Sequence, residues 1–504
     1  MDRRTFIGSS IGFLGLASLS GVPSVAGGKL DQAEDELLEV DGLGLARLVR
    51  AGEVSPAELV EMAARRISRL DGKIGAMTTL SLDRARQRAG TIPRDSVFAG
   101  VPTALKDLVD VAGIRRTSGS MWLLNNVPSK SPDYIRAMER AGLNFLGMTN
   151  TPEFASMGIT NNHAFGPTRN PWSLAHSSGG SSGGAAAAVA AGYVPIAHGT
   201  DGGGSNRIPA SCCGVLGMKA SRYRMACGEV DGKHMLLRTH QCLSRTVRDS
   251  AAVFAATENR EVGKPLPTVG MIEGSTRRRL KIAFTTANCF GQEADQEVKW
   301  ATLEAAKLCA DLGHELIEVH NPLQGEQLFT AIESIMLVGM PKLLAMVESL
   351  TGKSAEASGL LTPLFVQTGR YAQQLPAESY QDGVAYTRQL TEQMSRFYKS
   401  YDVWLTPVIP VETPHVEYIT PDSDFMATRQ ISRGLLSYTA FANAVGSPAM
   451  SVPLNWSRLT GLPIGSQFSA APGDDRTLYE LAYELEEAKP WRNRWAPVSA
   501  RFKV

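Results

Sequence analysis

The chain is expected to fold as an α/β protein. Three observations lead there: a core-forming composition, short apolar runs of strand length alternating with longer segments of helical periodicity, and glycine-rich loops that open into a small-residue helix. The 504 residues are 43% hydrophobic, 20% charged and 7% aromatic. That balance excludes disorder and fibrous repeats and supports a large buried core. Lys and Arg number 51 against 50 Asp and Glu, a net charge of +1. No basic excess favours nucleic acid or acidic lipid, so neither is an expected partner.

The N-terminus has the order of an export signal. Arg3-Arg4-Thr5-Phe6-Ile7 precedes a glycine-diluted apolar stretch over residues 8–19, and Ser24, Val25 and Ala26 offer a small-residue cleavage site. The order resembles a twin-arginine signal over residues 1–26, and a stretch this short falls below the roughly 20 residues that span a bilayer. The mature chain would start near Gly27 and act in the periplasm or outside the cell. No later segment is expected to cross a membrane.

The elements follow in order. Ser55-Pro56-Ala57-Glu58 carries a capping box with Pro at the first helical position, and Leu59, Met62, Ala63, Ile67 and Leu70 recur on one helical face. Residues 101–111 (VPTALKDLVDV) read as a buried strand closed by Gly113, with Lys106 in its middle. Residues 280–284 read as a short strand, followed by a helix over 295–312 that stops at Gly313. The segment 325–400 is helical and reads as a cap or substrate-facing lid. A strand-turn-strand unit over 449–467, turning at Gly461-Leu462-Pro463, leads to a helix over 478–487.

Chemistry concentrates in two glycine-rich loops. The first is Gly179-Gly180-Ser181-Ser182-Gly183-Gly184, the second Gly199-Thr200-Asp201-Gly202-Gly203-Gly204-Ser205-Asn206-Arg207, and between them runs a small-residue helix over 185–192. Such a helix start leaves N–H groups facing the loop, where they favour negative charge. Neither nucleotide-binding glycine motif is present. GxSxG centred on Ser182 would suit a nucleophile elbow, but the preceding residues 170–178 are polar and broken by Pro171. The six cysteines lack CxxC spacing and the eight histidines lack HExxH, so no metal ligand set and no cofactor are expected. Organic groups remain. A serine is a weak nucleophile until a base takes its proton, and a buried lysine, its pKa lowered by desolvation, can be that base. Lys106, Ser181 and Ser205 supply the set, and the glycines before Ser205 leave N–H groups able to hold an oxyanion. Lys106 alone could equally be an exposed strand lysine paired with Asp107 or Asp110. Asp201 and Arg207 read as an ion pair bracing the loop.

These residues resemble the amidase signature family of serine hydrolases. The match runs through Gly100-Val101-Pro102, Leu105-Lys106-Asp107, Phe165-Gly166-Pro167-Thr168-Arg169-Asn170-Pro171-Trp172, both glycine loops, Ser244-Arg245-Thr246-Val247-Arg248-Asp249 and Gly461-Leu462-Pro463-Ile464-Gly465, over roughly residues 35–495. The resemblance implies one domain over residues 27–504, with αβα layers around a mixed, twisted central sheet. It implies Lys106 as general base, Ser181 as a bridging serine after a cis peptide, Ser205 as nucleophile, and Ser182 as a supporting hydroxyl. The N–H groups of Gly202, Gly203, Gly204 and Ser205 would form the oxyanion hole. Three departures from the family pattern, at Gly202, at Asn206 and at Lys219-Ala220-Ser221, predict a looser or more polar reactive loop. Gly166 to Trp172 and Ala197-His198-Gly199 are similar to cyclic and linear oligoamide hydrolases.

The implied activity is hydrolysis of a small-molecule amide to an acid and ammonia or an amine, without cofactor. Cleavage of esters, carbamates or cyclic amides by the same triad stays open, as do a role as a subunit of a tRNA-dependent amidotransferase and a binding protein without turnover. A homodimer, and pairing of Cys212 or Cys213 with Cys227 or Cys242 after export, are also open.

Overall fold

The structure, a computed structural model, describes residues 36–226, 236–261 and 264–502. The expected export signal over residues 1–26 and Cys227 lie outside the described residues.

The strands are β1 (Met77–Leu80), β2 (Pro102–Lys106), β3 (Asn144–Thr149), β4 (Arg169–Asn170), β5 (Ser173–Ser177), β6 (Ile196–Asp201) and β7 (Leu216–Lys219). They continue as β8 (Thr239–Ser244), β9 (Lys281–Phe284), β10 (Glu315–Glu318), β11 (Val403–Pro407), β12 (Ala449–Trp456) and β13 (Pro463–Ala470). Eleven of them form one sheet in the order β1-β3-β2-β6-β8-β7-β12-β13-β11-β9-β10, while β4 and β5 make a separate hairpin. Pairing is parallel for β3-β2-β6 and for β11-β9-β10, and antiparallel through the centre. The sheet is therefore mixed, as expected. Alternation along each strand sends neighbours to opposite faces. Leu105 and Ile196 join the core on one side of the sheet, Ala104 and Ala197 the core on the other. Helices cover both.

Local rules set many element ends. Ser55 Oγ accepts the Glu58 N–H at 3.2 Å and Glu58 Oε2 accepts the Ser55 N–H at 2.7 Å, starting the helix Pro56–Ile74. Its expected apolar stripe is buried. The helix expected over 295–312 is Gln296–Asp311.

Elsewhere tertiary contacts override the local pattern. The strand expected over 101–111 stops at Lys106, which stands at its end rather than its middle. The chain bends there because the Asp107 carboxylate accepts from Thr78 Oγ1 at 2.9 Å and from the Thr117 N–H at 2.7 Å. The expected turn at 461–463 shifts to 457–462, since Pro463 already pairs with Trp456 as the first residue of β13. The small-residue helix begins two positions early, as Gly183–Ala190. Both leading glycines pack tightly there: a Cβ on Gly184 would lie 2.4 Å from the Asn150 nitrogen.

The segment 325–400 contains helices Gly325–Leu337, Met340–Thr351, Pro363–Ala372 and Ser379–Ser400. The expectation that nothing beyond the signal is apolar enough to cross a membrane needs correction, because Gly325–Thr351 reaches a mean hydropathy of 1.5 over a bilayer-length window. Its apolarity has a local use. The run is two helices, and Leu328, Phe329, Ile332 and Leu344 are buried within the fold. Cys212, Cys213 and Cys242 are buried free thiols.

Candidate active site

Lys106 is fully buried at the end of β2. The β2–β6 pairing covers Thr103↔Ile196 and Ala104↔Ala197, and then the strands part. A side chain fills the gap: His198 Nδ1 accepts the Lys106 N–H at 3.3 Å. That leaves the His198 proton on Nε2, which donates to His240 Nδ1 at 3.1 Å. Tyr134 stacks on His240 with centroids 4.8 Å apart. Burial pushes both imidazoles down, His198 well below its usual value and His240 to about 3, with neighbouring positive charges adding to the effect. The pair is thus neutral and puts no cation beside the lysine. Sequence reasoning noted His198 only as part of a subgroup motif, and nothing in the sequence marks its place in a strand gap.

Lys106 Nζ lies 2.6 Å from Ser181 Oγ, 3.0 Å from Thr200 Oγ1 and 3.4 Å from the Thr200 carbonyl oxygen. Desolvation holds its pKa well below the ordinary lysine value. The Asp201 carboxylate opposes that shift and Arg238 adds to it. An exposed pair with Asp107 or Asp110 is excluded. Asp107 is buried on Thr78 and Thr117, and Asp110 pairs with Arg116 at 2.9 Å. Thr200, which takes the amine's other contacts, was missed in the sequence because it belongs to the other loop's strand.

The first loop packs hard against its neighbours. The Gly180–Ser181 peptide is cis. A Cβ on Gly180 would sit 2.6 Å from the Ile159 nitrogen, so only glycine fits. Ser182 Oγ is buried, 3.2 Å from the Thr200 carbonyl and 3.1 Å from Asn206 Oδ1, and the Ser182 N–H donates to the Ser205 carbonyl at 3.1 Å. This hydroxyl faces the second loop, and the strand before it, β5, belongs to the small hairpin. An α/β-hydrolase elbow at Ser182 is therefore ruled out.

In the second loop Asp201 and Arg207 form a buried, two-pronged pair, with Arg207 Nε to Oδ2 at 3.0 Å and Nη2 to Oδ1 at 2.9 Å. Burial by itself would raise the Asp201 pKa, but Arg207 and Asn443 override it and hold the carboxyl far below the usual range. Removing one side of such a pair typically costs about 3–5 kcal/mol, since the other charge is left buried alone. Asp201 also accepts the Gly204 N–H at 2.9 Å and the Asn206 N–H at 3.1 Å. This corrects the expected oxyanion donors: the Gly204 N–H is already committed to Asp201. The N–H groups of Gly202, Gly203 and Ser205 have no acceptor among the described residues. Asn206 makes the loop polar but not loose. Its Nδ2 donates to the Met218 carbonyl at 3.1 Å and its Oδ1 meets Ser182.

Ser205 is partly exposed and lines a cavity of about 110 Å³ with Gly180 and Gly203. The Ser205 hydroxyl has no hydrogen-bond partner among the described residues, and the cavity gives a substrate access to it. Lys106, Ser181 and Ser182 thus form one buried contact network behind Ser205. Asp201 and Arg207 pin the ends of its loop.

The family model described as Amidase matches residues 58–479. The chain belongs to the amidase signature family. It is 35% identical over 473 residues to a putative amidase, AmiC, of Mycobacterium tuberculosis (strain ATCC 25618 / H37Rv), covering 92% of this chain and 98% of that one. It is 32% identical over 472 residues to a 6-aminohexanoate-cyclic-dimer hydrolase of Paenarthrobacter ureafaciens, covering 90% and 95%. A solved structure of 6-aminohexanoate cyclic dimer hydrolase complexed with substrate superposes with a TM-score of 0.83 at 30% identity, over 92% of this chain and 99% of that one. Family membership makes the chain a hydrolase of amide bonds, and the single α/β architecture is shared.

Proposed function

We propose that the protein is an amidase that works through an acyl-enzyme on Ser205. Ser205 Oγ attacks the carbonyl carbon, its proton passes to Ser181 Oγ, and the Ser181 proton passes to neutral Lys106 Nζ. The N–H groups of Gly202, Gly203 and Ser205 hold the oxyanion. The relay returns the proton to the leaving nitrogen as the C–N bond breaks. Water then attacks the acyl-enzyme, giving up a proton by the same path, and releases the acid and Ser205.

The observation that carries this reading is the 2.6 Å contact between Lys106 Nζ and Ser181 Oγ. A neutral amine has two N–H bonds and one lone pair. Both hydrogens have an acceptor on Thr200, which leaves the lone pair for the Ser181 hydroxyl. Desolvation of Lys106 supports the neutral form.

A second reading, cyclic-amide hydrolysis by the same groups, is favoured by the likeness to 6-aminohexanoate cyclic dimer hydrolase across most of the chain. In either reading the partner is a small molecule, with no nucleic acid and no membrane. The chain is taken to be exported by the twin-arginine route on the strength of residues 1–26. The experiment is a matched panel of linear amides, esters, carbamates and cyclic amides offered to the purified chain, with product acid and amine measured. Turnover of linear amides is expected. Cleavage confined to cyclic amides would favour the second reading, and turnover confined to esters would contradict both.

A further inference from the structure

The cavity in front of Ser205 has apolar walls interrupted by one charged cluster. The walls include Ile208, Phe329, Ile332, Met336 and Leu436, and the cluster is Glu333, Arg429 and Arg433. Helical spacing builds it. Phe329, Ile332, Glu333 and Met336 share one face of Gly325–Leu337, and Arg429 and Arg433 share one face of Phe425–Leu435.

The cluster's hydrogen bonds decide which charge it can receive. Glu333 Oε1 accepts from Arg429 Nε at 3.1 Å and Arg433 Nε at 2.8 Å, while Oε2 accepts from Arg429 Nη2 at 2.7 Å and Arg433 Nη2 at 2.9 Å. The carboxylate has no lone-pair direction left for a ligand ammonium. Arg433 Nη1 is engaged by Glu326 at 3.0 Å, a side chain that is 78% exposed and so screened by water. Arg429 Nη1 has no acceptor among the described residues. Glu333 and Glu326 balance the two guanidiniums in formal charge, but Glu326 stands in water, so the cavity wall itself presents two guanidiniums, one saturated carboxylate and an open Arg429 Nη1 donor.

We infer that this cavity selects amides whose apolar arm ends in a carboxylate. The apolar walls receive the arm, and Arg429 Nη1 donates to the terminal carboxylate in a charge-assisted hydrogen bond. An arm ending in an ammonium meets a saturated Glu333 flanked by two guanidiniums. This inference rests on the reading of Ser205 as the hydrolytic nucleophile in the same cavity.

The test compares amides of matched chain length ending in methyl, carboxylate or ammonium. One series carries the terminal group on the acyl half and a second carries it on the amine half. Two readouts are taken: kcat/KM on the unmodified enzyme, and Kd by calorimetry on Ser205→Ala. In at least one series the carboxylate compound is expected to exceed the methyl compound by about tenfold or more in both readouts, with the ammonium compound lowest. Arg429→Gln should bring the carboxylate-to-methyl ratio down to about one. Glu333→Gln, which removes the neutralising charge, should raise that ratio. A general structural role for the cluster would move both variants the same way. A ratio at or below one in both series, or the same direction of change in both variants, overturns the inference. If no amide turns over while the Kd ratio still favours the carboxylate, the hydrolytic reading fails and the selectivity stands.

Discussion

Ser205→Ala is expected to lower kcat for any amide substrate by at least about 10⁴-fold while leaving substrate Kd close to that of the unmodified enzyme. The hydroxyl is the only part of Ser205 that changes. Its N–H and carbonyl remain, and with them the bond from the Ser182 N–H to the Ser205 carbonyl at 3.1 Å that joins the two loops. The hydroxyl has no hydrogen-bond partner among the described residues, so its loss leaves nothing unpaired. Thermal unfolding should shift little. Steady-state kinetics on a chromogenic anilide, with unfolding followed in parallel, reads both quantities. Full activity in the alanine variant would remove Ser205 from the chemistry.

Lys106→Met should reduce kcat by about 10²–10⁴-fold, the usual scale of general acid–base assistance. Its effect on stability should depend on pH with a definite sign. Burial lowers the folded-state pKa of Lys106 well below its unfolded value near 10.4. Between those two values the unfolded chain binds a proton that the folded chain does not, so Lys106 costs stability, and the cost shrinks as pH rises. Methionine has no such term. The variant's stability relative to the parent should therefore fall by about 1.4 kcal/mol per pH unit as pH is raised toward about 10. Chemical denaturation at several pH values measures it. Activity of the parent enzyme should rise with pH through the depressed Lys106 value and level off above it. A difference in stability independent of pH would mean that Lys106 is charged in the folded protein.

What the sequence reveals and what it hides follow the range of the interactions involved. The capping box at Ser55 and Glu58 spans three residues and reads directly. The two glycine loops are legible because their glycines answer steric demands, such as Gly180 against Ile159 and Gly184 against Asn150, that leave a compositional mark. The end of β2 is hidden, since it is set by Thr78 and Thr117 bonding to Asp107 from other parts of the chain. The loss of Gly204 as an oxyanion donor depends on Asp201 folding back over its own loop, a geometric detail that spacing alone does not carry. His198 reads only as part of the Ala197-His198-Gly199 motif until the parting of β2 and β6 gives its ring a backbone N–H to accept. The cluster of Glu333 with Arg429 and Arg433 joins residues about a hundred positions apart on two helices. Each looks like an ordinary charge on an amphipathic helix.

In the proposed mechanism Ser205 Oγ is the atom that becomes acylated. Incubating the purified protein with a fluorophosphonate and mapping the adduct by peptide mass tests this most directly. The adduct is expected on Ser205, in step with loss of amide hydrolysis, and slowed when an amide substrate is present. An adduct on Ser181 or Ser182 with Ser205 unmodified, or complete inhibition without any adduct on these loops, would contradict it.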